Sequence, residues 1–381
     1  MLMKKKRKLK AWVKVALVLI ILGIVGLFIF NNYPQDKPKK KITITPATTT
    51  KAPSNELSMV MVGDCLIHRF VYTDAANGDG TYSFDKMFTE VAPLIKDYDL
   101  AYYNQESNIG GKELGLSAYP RFNSPEEIGD SMVKLGFNLI SLANNHTMDK
   151  GEKGVINSVN YWKTKPGVFY TGEALSWEDR ENNIKILEKN GIKYAFFSYT
   201  TVTNGLIPPT GKEYLTNIYS KEKVQKDINK VKDKVDLIIV AMHWGEEYTT
   251  NPSSGQKQIA KDLAGMGVNL VIGNHAHSLQ PVEMIDDTLV FYALGNFISA
   301  QDTADKQTGA LVTLDIKKDK DGKITFNNIK ANLIYTYFRG STNFKVYPYT
   351  KLNNNLLGNY ESYFKKYKEV LTRYTDIVEV K

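Results

Sequence analysis

From residue 57 onward, short apolar runs alternate with amphipathic stretches, and each loop rich in chemically active side chains follows directly on one of those runs. Residues 57–62 lead into Gly63-Asp64, and 100–103 into Asn104-Gln105-Glu106. Residues 137–142 lead into Ala143-Asn144-Asn145-His146, 236–242 into His243-Trp244-Gly245, and 268–272 into Gly273-Asn274-His275-Ala276-His277. Apolar runs this short, bounded by polar turns, read as buried strands. Strands interleaved with helical patterns build an α/β sheet with parallel neighbours. Ligands of such sheets bind beyond the carboxyl ends of the strands. Loops as far apart as Asp64 and His277 are therefore expected to meet at one place.

The intervening pattern predicts helices over 84–96, 125–135, 151–164, 221–234 and 256–266. Pro125 stands in the first turn of the second of these and Gly136 just past its end, as helix stop signals require. Hairpins are expected over 184–199, around Lys189-Asn190-Gly191, and over 282–293. Strands at 310–316 and 324–337 precede an aromatic helical tail over about 354–373, to which no chemistry can be assigned. No internal repeat is evident.

The first fifty-six residues differ in kind. They hold twelve Lys/Arg and two Asp/Glu, a net of +10 against +8 for the whole chain, so residues 57–381 carry about −2. The high isoelectric point belongs to this leader, which excludes a basic nucleic-acid-binding face on the folded part. Residues 1–10 are a basic block, and 11–30 are nearly all apolar with a single Lys14. That is long enough to cross a hydrocarbon core as a helix, and Trp12 and Tyr33 bracket it as interfacial anchors do. A cleaved signal peptide has a shorter apolar region and a small-x-small site, whereas Asn31-Asn32-Tyr33-Pro34 follows here. The expectation is an uncleaved transmembrane signal anchor with 1–10 cytoplasmic and the rest outside, a single-pass cell-membrane protein. Residues 31–56, rich in Pro, Thr and Lys, read as an extended extracellular tether. One cysteine, Cys65, excludes an intramolecular disulfide.

All five histidines fall within such loops: His68, His146, His243, His275 and His277. Imidazole is the commonest protein metal ligand and the usual proton shuttle near neutrality. A two-metal hydrolytic site needs a bridging carboxylate, several imidazoles and a further oxygen ligand. The chain offers Asp64, Glu106, Asn145, His243, His275 and His277 for that purpose, with His146 left as a general acid. Mixed nitrogen and oxygen ligation without thiolate suits Mn, Fe or Zn, as one or two divalent ions.

The order of the motifs resembles a known family. The match runs through Gly63-Asp64, Asn104-Gln105-Glu106, Ser141 to His146 with Asp149 and Gly151, and His243-Trp244-Gly245-Glu246-Glu247-Tyr248 with Pro252. It continues through Gly273 to His277 with Gln280-Pro281, and Tyr292 to Phe297. Together these resemble the bacterial capsule-synthesis CapA family, the poly-γ-glutamate accessory proteins, a branch of the calcineurin-like metallophosphoesterases. The resemblance covers about 57–300 and implies a metallophosphoesterase-like four-layer α/β/β/α sandwich, with 301–381 completing the domain. By motif it implies Asp64 and His277 on a first metal, Glu106 bridging, Asn145, His243 and His275 on a second, and His146 as acid.

The chain departs from the wider pattern in three places. Asp64-Cys65-Leu66 stands where the superfamily has Asp-x-His, so the first metal lacks an imidazole that His68 could replace; the other reading of His68 is a loop residue near the rim. Glu106 stands for the usual bridging Asp, and Asn274 for a His common in the branch. Trp244, Tyr248, Arg69, Arg121 and Asn296 are each either site-lining or ordinary packing, surface or turn residues. Cys65 reads as a small buried residue.

The functional expectation is a membrane-anchored extracellular protein supporting synthesis or export of poly-γ-glutamate, or another anionic polymer, alongside other membrane components of that machinery. The alternative is a cell-surface metal-dependent phosphohydrolase acting on cell-wall or other phosphoesters, and a third reading is a non-catalytic polymer-binding subunit. No Gly-x-x-x-x-Gly-Lys-Ser/Thr motif is present for ATP.

Overall fold

The computed structural model describes residues 11–32 and 54–381; the expected basic segment 1–10 and nearly all of the tether 31–56 lie outside the described residues. The chain divides into two units, Met1–Lys51 and Ala52–Lys381. In the first, Ala11–Asn32 form one helix on which Leu19, Ile20, Ile21 and Leu22 are exposed. Counted over the described residues, no helix is long and apolar enough to cross a membrane. The expected crossing of 11–30 therefore rests on the sequence.

The second unit is built on fifteen strands among the described residues. They are β1 (Glu56–Cys65), β2 (Leu100–Gln105), β3 (Leu139–Ser141), β4 (Phe169–Thr171), β5 (Leu187–Lys189), β6 (Ile192–Thr200), β7 (Leu237–His243) and β8 (Leu270–Asn274). There follow β9 (Val282–Ile285), β10 (Thr288–Phe291), β11 (Asn296–Ile298), β12 (Thr308–Lys318), β13 (Ile324–Arg339), β14 (Thr342–Pro348) and β15 (Glu379–Val380). One sheet runs β14-β13-β12-β1-β2-β3-β4, with β11 beside β1 and β15 beside β13. The other runs β5-β6-β7-β8-β10-β9. The strands β1 to β4 are mutually parallel, as are β6, β7, β8 and β10.

The period-2 alternation of β1 shows why the sheets stack. Leu57, Met59 and Met61 join Ile239, Ala241, Leu270 and Ile272 of the second sheet in one buried cluster between the sheets. Val60 and Val62 point the other way, into a cluster with Ile128, Met132 and Trp162 from the helices Glu127–Leu135 and Gly151–Lys163. The outer face of the second sheet is covered likewise: Val224, Ile228, Ala260 and Leu263 pack on Ile238 and Val240. Helices therefore lie outside two facing sheets, an α/β/β/α arrangement. Each large apolar side chain so buried contributes about 1.5–3 kcal/mol.

Differences from the expected elements have local causes. The helix expected over 84–96 is a four-residue turn, Asp85–Phe88, and a separate 3-10 turn, Ala92–Leu94. Pro93 lacks the N–H that would carry an α-helix on from Thr89, so the chain restarts in a separate turn. The expected tail helix is shorter, Tyr360–Leu371. Helices Arg69–Ala75 and Trp177–Asn182 and strands β4, β11, β14 and β15 were not foreseen; most are too short to carry a period.

Candidate metal centre

The carboxyl ends of parallel strands from both sheets deliver the candidate residues. Asp64 sits near the end of β1, in register with Asn104 of β2 and Asn296 of β11. Glu106 follows β2, the Asn145-His146 pair follows β3, His243 ends β7, and His275 and His277 follow β8. Two glycines allow the close approach this needs. A Cβ on Gly63 would lie 1.9 Å from the Gly295 carbonyl oxygen, and one on Gly273 would lie 1.9 Å from that of Tyr292. His275 and His277 both adopt left-handed backbone, with φ of 89° and 49°. Left-handed backbone is uncommon for side-chain-bearing residues and clusters at functional sites.

Two groups of ligand-type atoms result, each with all members within 4.8 Å of one another: Asp64, Glu106 and His277, and Glu106, His243 and His275. Glu106 belongs to both. Its Oε1 is 3.5 Å from His277 Nε2 and 3.7 Å from His243 Nε2. Asn145 Oδ1 lies 2.9 Å from the same His243 nitrogen, which adds it to the second group. All six residues are buried. Asp64 is held by Asn104 Nδ2, donating at 2.8 Å, and by the His275 backbone N–H, donating at 3.1 Å.

The electrostatics of the protein alone are unbalanced. Both carboxylate oxygens of Glu106 and Nδ1 of His275 are buried without a hydrogen-bond partner. Burial drives the Glu106 carboxyl well above its ordinary range, opposed by the charge of His277. Burial pulls the His277 imidazole down, but the charges of Glu106 and Asp64 outweigh it and raise it to about 10. The buried carboxylates thus favour a charged His277, while burial favours a neutral Glu106. Burial, reinforced by neighbouring imidazoles, keeps His243 well below its ordinary value and takes His275 to about 4. Neutral imidazoles and unpartnered carboxylate oxygens are the donor set a divalent cation takes, and an unsatisfied buried charge is costly. The residues fit a divalent metal.

His146 is in neither group. Its Nδ1 lies 2.7 Å from Asp149 Oδ2, which also accepts from the Phe122 backbone N–H at 2.5 Å. Phe122 packs edge-on against His146, 4.6 Å between ring centres. A cavity of about 550 Å³ opens over the site, lined among others by His146, Asn145, His277, Glu247, Tyr248 and Arg121. His68 is also on its wall rather than in a metal group: its Nδ1 accepts from the Ala300 backbone N–H at 3.2 Å. Tyr248 stacks on His277 at 5.9 Å, and Trp244 is buried with its Nε1 donating to the Tyr292 carbonyl. Arg69 lines a neighbouring surface groove, Cys65 is buried, and Asn274 Nδ2 donates to the Tyr102 hydroxyl at 2.7 Å. The orienting role of Asp149 was not foreseen. Its position three residues after His146 in a turn was the available signal. Glu247, whose charge acts on both Glu106 and His277, went unassigned because nothing in its sequence position separates it from Glu246.

The model of the Bacterial capsule synthesis protein PGA_cap family matches residues 58–301. This chain belongs to that family. Capsule biosynthesis protein CapA of Bacillus anthracis is 30% identical over 278 residues, covering 69% of this chain and 65% of that protein. PGA biosynthesis protein CapA of Bacillus subtilis (strain 168) is 26% identical over 299 residues, covering 73% and 72%. The chain thus spans a little under two thirds of the B. anthracis protein. Among solved structures, Haemophilus influenzae NAD nucleotidase aligns with a TM-score of 0.46 and 13% identity, covering 86% of this chain and 64% of that one.

Proposed function

We propose that this member of the capsule-synthesis family is a membrane-anchored, extracellular protein that supports synthesis or export of poly-γ-glutamate through a metal centre formed by Asp64, Glu106, Asn145, His243, His275 and His277. The observation that carries the metal centre is the pair of buried ligand groups sharing Glu106, whose oxygens have no other partner. The family membership and the names of the two Bacillus relatives support the capsule role. The basic block and apolar run of residues 1–30 support the anchor.

His146 favours hydrolysis of a phosphoester as the chemistry of this site. A divalent cation held by the six residues supplies Lewis acidity toward a phosphoryl group. The protein's own part is placement and proton delivery. Asp149 accepts the His146 Nδ1 proton and fixes the ring, leaving Nε2 to give its proton to a leaving-group oxygen. Arg121 on the cavity wall offers an anion-matching guanidinium.

The test is metal content and phosphodiester turnover of the full chain in detergent, beside His146→Ala and His275→Ala. Bound Mn, Fe or Zn in the wild type, with turnover lost in both variants, is the expected result. Metal without turnover on phosphoesters would remove the hydrolytic chemistry and leave the capsule role. Absence of bound metal under metal-replete conditions would overturn the centre itself.

A further inference from the structure

The amide of Asn296 lies behind His277, on the side away from Glu106. We propose that Asn296 is the positioning residue of His277, holding its Nδ1–H so that Nε2 alone is presented to Glu106 and to the cation they would share. This rests on the metal centre proposed above, but not on any catalytic activity.

The orientation of an asparagine amide has to be inferred from its partners, and here they decide it. One end of the Asn296 amide lies 2.7 Å from the Lys306 carbonyl oxygen, which can only accept, and 2.8 Å from Gln301 Oε1. That end is therefore Nδ2, the donor. The other end, Oδ1, lies 2.9 Å from His277 Nδ1, so that nitrogen carries the proton. The rival acceptor, Asp64 Oδ2, is 3.5 Å from the same nitrogen and already accepts the His275 N–H at 3.1 Å. With Nδ1 committed to donation, Nε2, 3.5 Å from Glu106 Oε1, is the nitrogen with a lone pair to give a metal. Asn296 is fully buried, and its register opposite Asp64 across β1 and β11 ties one carboxylate and the positioning amide to the same backbone pairing. Tyr248 stacks on the other side of the ring, its own face covered by Lys306 Nζ at 4.4 Å. The imidazole is thus fixed at its edge and on its face.

Two readouts on the full chain in detergent test this. Calorimetric titration with Mn²⁺ or Zn²⁺ should show Asn296→Ala weakening metal affinity about 10–100-fold, the usual effect of losing a partner that orients a ligating histidine. Asn296→Ala added to His277→Ala should cost nothing further. Proton NMR of the metal-free protein should show a downfield His277 Nδ1 proton, protected from exchange in the wild type and lost in Asn296→Ala. Gln301→Ala, which leaves the acceptor in place, should keep both. If Asn296→Ala does not fold, Asn296→Asp replaces it: the retained acceptor should preserve the protected proton, and its loss would refute the assignment. Additive metal losses from Asn296→Ala and His277→Ala, or a protected proton that persists in Asn296→Ala, would overturn it as well. A wild type that binds neither ion would end the metal centre proposed above, while the proton signal would still decide whether Asn296 holds His277.

Discussion

Glu173 is a buried carboxylic acid that forms no ion pair among the described residues, and replacing it with glutamine should reverse a pH-dependent weakness of the fold. The residue follows β4 and is 5% exposed; its Oε2 has no partner. Burial lifts its carboxyl from an ordinary 4.5 to about 8, with a hydrogen bond from Ser158 opposing. A raised folded-state value means that the native protein holds this proton where the unfolded chain has lost it. Stability from this group is complete below about pH 4.5, falls as pH rises, and reaches its floor above about pH 8. The full span is 3.5 units (8 − 4.5), or about 5 kcal/mol at ~1.36 kcal/mol per unit, a ceiling because water reaching the site would lessen it. At pH 7 the loss is already about 3 kcal/mol on the same scale.

Glu173→Gln keeps the shape of the protonated acid and cannot ionise. Urea unfolding at pH 5 and at pH 8.5, followed by the fluorescence of buried Trp162 and Trp244, separates the cases. The variant should match the wild type closely at pH 5 and exceed it by several kcal/mol at pH 8.5. Because the comparison is a difference between two chains at each pH, the titration of every other group cancels. A difference that does not change with pH would refute the reasoning, since it would mean that Glu173 stays charged in the fold and is paired by something other than a proton.

Glu106→Gln should raise the melting temperature of the metal-free protein, by removing a buried carboxylate with both oxygens unpaired, while abolishing the stabilisation that added Mn²⁺ or Zn²⁺ gives the wild type. For the wild type that gain is about 2.7 kcal/mol at a hundredfold excess over Kd, and a variant that still responds to metal would contradict the bridging position. Gly63→Ala should destabilise by about 1–3 kcal/mol and weaken metal binding together, because its Cβ would strike the Gly295 carbonyl and spread β1 from β11 between Asp64 and Asn296. Loss of stability at full metal affinity, measured by denaturation and titration on the same sample, would show that the two strands do not set the site.

What the sequence disclosed and what it withheld divide along a physical line. Strands such as Leu237–His243 and Leu270–Asn274 were legible because they are buried on both faces and read as apolar runs. The loops after them were legible because histidine is rare in this chain and falls only there. β11 was not, since three residues carry no period, and its place beside β1 is set by Gly63 and Gly295 meeting at backbone distance. Asp149 was visible only as part of a matched motif and Asn296 only as either a site-lining or a turn residue; the role of each was not. Neither is a ligand, and each matters through a single hydrogen bond to an imidazole, at 2.7 Å and 2.9 Å. A residue that acts by orienting another leaves no compositional trace, because asparagine and aspartate after a turn are ordinary turn residues. Only the donor geometry around the amide separates the two readings of Asn296: the Lys306 carbonyl on one side forces an acceptor onto the other, and that acceptor meets His277.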